Sequence, residues 1–463
     1  MAEHTIIMQT TLQKLLEEKK YSTLRDILVT MNPADIAAIF DEMEAARLPL
    51  LYRLLPKELA ADTFVEMEPE AQELLIRGFS DAELKDVLDE LFVDDAVDII
   101  EEMPATVVRR ILAQAAPEMR TSINEILRYP ENSAGSIMTT EYVDLSPTLT
   151  VAEAITRIRR TGIDKETIYT CYVIRNRVLM GVVTVKDLLL TSDDDTTIES
   201  IMSTNVIAVN THDDQEEVAQ MFSKYDFMAL PVVDAENRLV GIITFDDAMD
   251  VMEEEATEDI EKMAAIIPSE KPYMSMTPFE IWKNRIPWLM LLMVSATFTG
   301  IIISRFESAL SKLVILTAFI PMLMDTAGNS GSQASVTIIR GLSLNEIEFS
   351  DILQIIWKET RVAVLCGLSL AVACFGKILL VDYLILGSFA EVTMASPFLI
   401  IGVICVTLAI TVLFAKVVGC TLPLFAKKLG FDPAVMASPF ITTIVDALSL
   451  LVYFGVASLF LPI

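Results

Sequence analysis

Residues 320–335 read Ile320-Pro321-Met322-Leu323-Met324-Asp325-Thr326-Ala327-Gly328-Asn329-Ser330-Gly331-Ser332-Gln333-Ala334-Ser335. They lie in a run from Leu313 to Ile339, longer than the ~20 residues a membrane-crossing helix needs. Pro321 frees a carbonyl, and the small residues let another backbone come close. Asp325, Asn329 and Gln333 are spaced i, i+4 and i+8, so a helix puts them on one face. The small residues alone would suit a packing seam between helices. A carboxylate on the same segment favours a water-lined path.

Outward from this stretch lie four more apolar runs, roughly 287–304, 362–386, 398–425 and 440–461. Alternating the loops places Lys271, Lys283, Arg285, Arg340, Lys358, Arg361, Lys427 and Lys428 on one side, and Arg305, Lys312 and Lys377 on or near the other. The positive-inside rule then puts the N-terminus in the cytosol and, after five spans, the C-terminus outside. The last run contains Ser438-Pro439-Phe440-Ile441-Thr442-Thr443-Ile444-Val445-Asp446. Asp446 falls about two turns inside the membrane. An acid at mid-helix costs ~2.5–3.5 kcal/mol on insertion scales, so it should face a cavity or a counter-charge. Lys377 and Lys416 are the lysines inside apolar runs that could form a structural pair with it.

The first 270 residues have a different composition. They hold 54 acids against 23 bases, whereas residues 271–463 hold 11 against 12. The chain therefore reads as an acidic soluble part joined to a nearly neutral membrane part. An acidic surface disfavours nucleic acid and anionic lipid as partners and favours cations. Acid also serves simply to keep a protein soluble. The cysteines, Cys171, Cys366, Cys374, Cys405 and Cys420, form no paired spacing, and His4 and His212 are the only histidines, so disulfides and a zinc site are not expected. No cleaved leader is evident, which keeps the acidic part in the cytosol. No phosphate loop or nucleophile–histidine pair suggests an enzyme.

Residues 1–130 read as short helices. Pro56 and Pro69 are 13 apart, and Pro104, Pro117 and Pro130 recur at that spacing. Proline suits a first helical turn, and the pattern predicts an α-solenoid of hairpins. Residues 131–252 contain a repeat: Ile137-Met138-Thr139-Thr140 returns as Ile201-Met202-Ser203-Thr204, and Gly181-Val182-Val183-Thr184-Val185-Lys186-Asp187 as Gly241-Ile242-Ile243-Thr244-Phe245-Asp246-Asp247. Each copy reads as a β-α-β unit, and together they resemble a tandem pair of CBS domains. That resemblance implies adenine nucleotide, ATP among them, at Thr184, Lys186, Asp187 and Thr244; a nucleotide-free dimerisation module is the alternative. Residues 246–270 read as an acidic connecting helix with a single lysine, Lys262, and residues 284–463 as the membrane domain.

The order of parts, the stretch Pro321 to Gln333, and Asp432-Pro433-Ala434 followed by Pro439-Phe440 and Thr443-x-x-Asp446 resemble the MgtE family of magnesium transporters and channels. The expected fold is multidomain: an α-helical solenoid, an α/β tandem CBS pair and an all-α five-helix transmembrane domain in the cytoplasmic (inner) membrane. The resemblance implies a homodimer, a pore lined by the second and fifth spans, and Asp446 facing hydrated Mg2+, with Asn329 and Asp325 as further pore candidates. Ala327 and Ser438 depart from the family pattern, which leaves the lining there open. The resemblance also implies that Asp94, Asp98, Asp214, Glu216, Asp226, Asp247, Asp250, Glu255, Glu258 and Asp259 are sensory Mg2+ ligands. Oxygen donors suit a hard cation. Two carboxylates 5 Å apart repel by roughly 3 kcal/mol at an effective dielectric of 20. Bound Mg2+ would therefore select a compact, closed arrangement, giving feedback closure. The rival readings are a cation-sensing membrane receptor and a Mg2+-dependent membrane enzyme, neither of which transports.

Overall fold

The computed structural model describes residues 11–269, 271, 273–389, 395–436 and 438–462. The chain divides into two compact units, Met1–Met252 and Glu253–Ile463, and the boundary falls inside one helix.

The first unit opens with short helices whose starts follow from the sequence. Pro33, Pro69 and Pro117 occupy the first helical position, and Pro56 and Pro104 the residue just before it. An N–H missing there costs no helical hydrogen bond. Ser80 and Glu83 close a capping box at the start of Asp81–Leu88. The helices pack on alternate neighbours. Pro33–Asp41 lies on Lys57–Val65, which lies on Asp81–Leu88, which in turn lies on Ala105–Gln114. Tyr52, Phe64 and Phe79 form a buried aromatic cluster between them. This is the expected solenoid logic of repeated helical pairs.

Two three-stranded sheets follow. β1 (Asp144–Leu145), β2 (Thr170–Arg175) and β3 (Val178–Thr184) form one; β4 (Val209–Asn210), β5 (Ala229–Val233) and β6 (Leu239–Thr244) form the other. In each sheet the first pair is parallel across a helix and the second antiparallel. The repeated markers explain themselves in three dimensions. Thr139 bridges to Ile242 of the second copy, and Ser203 bridges to Val182 of the first. Each copy therefore lends its Ile-Met-Thr/Ser segment to the other's sheet. The repeated glycine permits this. A Cβ on Gly241 would stand 2.6 Å from Met138 Sδ and 2.7 Å from the Thr139 carbonyl oxygen. One on Gly181 would stand 2.8 Å from the Ser203 carbonyl oxygen.

β6 runs directly into the connecting helix, Phe245–Met263. It ends seven residues before the expected position. Ile266 N–H turns back to the Glu261 carbonyl and Ala265 takes a φ of 56°, a left-handed closure just ahead of Pro268.

In the second unit the first span is Pro278–Arg305, capped by Thr277 and Glu280. The second, Ile320–Ser343, is entered through a 3-10 turn, Val314–Phe319. The third runs Ile352–Lys377 and continues as a π-helix, Ile378–Ile385. The fourth is Pro397–Lys428 and the fifth Ser438–Phe460. Four of these are long and apolar enough to cross a membrane on composition alone. The second is 24 residues long but carries the polar stretch already quoted, so composition does not single it out. It packs against the fourth and fifth, the third packs on the fourth, and the first on the fifth.

Candidate functional site

The second span presents two chemically distinct faces. Ala327, Gly328, Ser330, Gly331, Ala334 and Ser335 are buried. Gly331 meets Ala415 of the fourth span and Ile441 and Val445 of the fifth, and Ala327 joins the same apolar cluster. The small residues thus form a packing seam, and Ala327 belongs to it. Asp325, Asn329 and Gln333 are exposed along the opposite stripe. Asp446, half-buried on the fifth span, lies beside them: its Oδ1 is 3.8 Å from where a Gly328 Cβ would stand, and Asp325 is the charge that acts on it. The Ser438 side chain lies outside the described residues.

Both membrane lysines are engaged elsewhere. Lys377 Nζ donates to Asp382 Oδ2 at 2.9 Å, and buried Lys416 lies 3.9 Å from Glu359 Oε2. Lys416 and Lys377 therefore do not supply the counter-charge for Asp446.

A second group of carboxylates lies in the first unit, where the helix Val93–Glu102 meets the sheets and the start of the connecting helix. Asp94 is buried, and burial together with the Asp247 charge pushes its carboxyl well above the usual range. Burial raises Asp95 to about 7, with Asp247 contributing next. Burial also raises Glu166 to about 8, with Asp95 and Asp247 adding to it. Asp247 is raised to about 6 by burial, although Thr244 donates to it from both N–H and Oγ1. Glu141 Oε2 accepts from Val93 N–H at 3.0 Å, tying the helical region to the first sheet. Asp94 Oδ1 and Glu166 Oε2 are buried with no hydrogen-bond partner among the described residues. Such oxygens call for a proton or a cation. Among the described residues no three histidine, cysteine or carboxylate groups converge into a ready cage.

A profile described as MgtE, divalent cation transporter, matches residues 320–456, which hold all three pore candidates, Asp325, Asn329 and Asp446. The MgtE intracellular N domain matches residues 31–132, and the CBS domain matches 134–193 and 198–254. The magnesium transporter MgtE of Thermus thermophilus is 36% identical over 98% of both chains. The chain belongs to the MgtE family. The magnesium transporter MgtE of Bacillus subtilis is 32% identical over 96% of both chains. Among solved structures, the cytosolic domain of the Mg2+ channel MgtE in complex with ATP is 37% identical. It covers 52% of this chain and 99% of its own, at a TM-score of 0.50. The soluble part of a magnesium transporter is 31% identical over 54% of this chain, at a TM-score of 0.51.

In this MgtE chain the other expected sensor acids are spread out. Asp98 is exposed although Asp94, one turn away, is buried. Asp214 caps the helix Gln215–Tyr225 by accepting from Glu216 N–H at 2.9 Å, and Asp226 closes it in the left-handed region. Asp250 is exposed, and Glu255, Glu258 and Asp259 are half-buried further along the connecting helix. Of the nucleotide candidates, Thr184 and Asp187 cap each other, Thr244 is buried against Asp247, and Lys186 lies in the same short helix as Asp187. Sequence reasoning missed Asp95, Glu166 and Glu141. The Asp94-Asp95 doublet was a usable signal; nothing local marked Glu141 or Glu166.

Proposed function

We propose that this MgtE-family chain carries Mg2+ across the cytoplasmic membrane as a homodimer, along a path lined by the second and fifth spans. The observation that carries the reading is the exposed polar stripe of Asp325, Asn329 and Gln333 beside Asp446 in a membrane helix. In lipid that stripe would be unfavourable; facing the same stripe of a second copy, it encloses water. Few carboxylates and retained water suit Mg2+. The membrane potential, about 2.3 kcal/mol per charge per 100 mV, drives the ion inward. The positive-inside count supports an N-terminus in the cytosol and a C-terminus outside. No chemical step is assigned to the protein.

Cytosolic Mg2+ closes the path. Asp94, Asp95, Asp247 and Glu166 repel one another, so a cation between them favours the arrangement that brings them together. Asp98, Asp214, Glu216, Asp226, Asp250, Glu255, Glu258 and Asp259 extend this acidic surface. The ATP complex of the related cytosolic domain supports nucleotide at the CBS pair, near Thr184, Lys186, Asp187 and Thr244.

The deciding experiment is uptake. Purified protein in liposomes should take up Mg2+ down an imposed gradient, and Asp446→Ala should abolish uptake while the protein still elutes as a folded dimer. Normal conduction by that variant would overturn the pore assignment.

A further inference from the structure

The polar stripe of the second span continues past Gln333. From Asp325 onward the exposed residues of Ile320–Ser343 are Asp325, Asn329, Gln333, Val336, Thr337 and Arg340. At about 100° per residue, Arg340 falls between Asn329 and Gln333 around the helix, and about 22 Å along the axis from Asp325. The stripe is therefore graded in charge. Asp325 stands near its start, and Asp446 of the fifth span reaches the next turn at Gly328. Two amides follow, and a guanidinium closes the stripe in the last turn. On the topology proposed above, that last turn faces the cytosol.

Two ordinary roles for such an arginine are a partner to the helix dipole and a lipid-facing side chain that snorkels to the membrane surface. Neither accounts for the face it occupies. The exposed face of the third span is apolar at Val364, Leu365, Leu368 and Val372, as a lipid contact should be. Arg340 instead shares its face with a carboxylate and two amides. Other bases at this end of the membrane domain are already held. Lys427 Nζ donates to the Leu342 carbonyl at 3.2 Å, the Lys428 ammonium lies 3.9 Å from the centre of the Phe349 ring, and the Arg361 guanidinium 5.6 Å from that of Trp357. The Arg340 side chain has no hydrogen bond, ion pair or ring contact among the described residues. Its charge is open to whatever the stripe faces.

We infer that Arg340 is a fixed positive charge at the inner mouth of the ion path, one that slows the entry of cations from the cytosol and so makes Mg2+ flux rectify inward. The inference rests on the path proposed above and adds a direction to it. In the homodimer both copies bring a guanidinium to the same mouth. A fixed charge at one end cannot shift the equilibrium across the membrane; it changes the local concentration of ions waiting to enter there. Repulsion scales with the charge of the ion, so Mg2+ feels twice what a monovalent cation feels. An ion from outside meets the carboxylates first, and the guanidinium only while leaving down the membrane potential. One from the cytosol meets the guanidinium first. Rings of charged side chains are a general means of controlling which ions enter a pore.

The test measures isotopic Mg2+ flux through the full-length protein in right-side-out and inside-out membrane vesicles, which read the inward and outward directions. Unlabelled Mg2+ is kept equal on both sides, so feedback closure is the same in both preparations, and an imposed potential drives each flux. Arg340→Gln should raise the outward rate about threefold or more and change the inward rate little. Arg340→Lys should behave like the parent protein. Val336→Arg, which adds a charge one turn nearer the membrane centre on the same face, should lower the outward rate. High salt should shrink the effect of Arg340→Gln, because screening shortens the reach of a fixed charge. An outward-to-inward ratio that Arg340→Gln leaves unaltered, or a change that Arg340→Lys shares, would overturn the inference. Asp446→Ala is measured in the same vesicles. If it conducts normally, the path itself is misassigned. If it abolishes flux while Arg340→Gln keeps the parent's ratio, only the role of Arg340 falls.

Discussion

Gly419 of the fourth span meets Gly331 of the second backbone to backbone: a Cβ on Gly419 would stand 2.2 Å from the Gly331 carbonyl oxygen. The seam that aims the polar stripe of the second span is therefore set by two hydrogens where other residues carry a side chain.

Gly419→Ala should accordingly force the second and fourth spans apart. Backbone cannot yield as a flexible side chain can, so the cost should reach or exceed the ~1–3 kcal/mol usual for overpacking. Gly402→Ala in the same span meets nothing within 4 Å and is the control. Thermal unfolding of the detergent-solubilised protein should show a lower midpoint for the first variant and little change for the second. Mg2+ uptake should fall only for the first.

A parallel argument holds in the CBS pair. Gly241→Ala would press on the Thr139 carbonyl as well as on Met138, so the exchanged segment has to lift from β6. We expect a destabilisation of about 1–3 kcal/mol, read as a lower melting midpoint of the first unit. Met138→Ala, which removes only the flexible contact, should partly rescue Gly241→Ala in the double variant. Full additivity would argue against the contact.

Much of this was legible in the sequence, for identifiable reasons. Proline spacing gave the helix starts because proline is tolerated in the first turn and disfavoured in the interior. The Gly-apolar-apolar-Thr repeat gave the two sheets, since a period of that length betrays a duplicated unit. Asp446 stood out because apolar surroundings make any carboxylate conspicuous. What remained hidden depends on long-range pairing. No local pattern says that the Met138 segment belongs to the second copy's sheet, or that Lys416 pairs with Glu359 and Lys262 with Asp432. Helical spacing grouped Asp94 with Asp98, yet the structure buries the first, exposes the second, and joins Asp94 to Asp95 and Glu166 instead. Which face of a helix is covered is decided by the partner element, not by the helix.

Asn329→Leu should reduce Mg2+ uptake without lowering the melting midpoint. Asn329 is exposed on the stripe, so leucine meets no packed neighbour within its own chain. The change removes an oxygen from the path and places an apolar group where water should run. Transport and stability measured on one preparation separate this from a folding defect. A large drop in stability would show that the stripe packs rather than conducts.

Neutralising the half-buried carboxylates should stabilise the protein when divalent ions are removed. Glu166→Gln and Asp95→Asn each delete a charge that burial and like-charged neighbours oppose. In EDTA both should melt higher than the parent protein. Added Mg2+ should raise their midpoints less than it raises the parent's, because a cation has less repulsion to relieve. Melting curves with and without Mg2+ at pH 8 test both statements. A loss of stability in EDTA would mean that these carboxylates are already paired in some other way.

The same carboxylates fix the sign of the pH dependence. Asp247 at about 6, Asp95 at about 7 and Glu166 at about 8 are all raised above their ordinary values near 4. The folded protein therefore holds more protons than the unfolded chain between about pH 4 and 8. Stability from this cluster is fully present at and below pH 4 and is lost as pH rises through 6 to 8. In EDTA the melting midpoint should fall between pH 6 and pH 8, the reverse of what ordinary acid-sensitive carboxylates produce. Mg2+ and protons compete for the same oxygens, so millimolar Mg2+ should raise the midpoint strongly at pH 8 and little at pH 5.5. Glu166→Gln should flatten the upper part of the curve, since it removes a group raised to about 8. A midpoint in EDTA that climbs from pH 6 to pH 8, with a Mg2+ effect independent of pH, would show that the cluster is neither strained by its charge nor shared between protons and the ion.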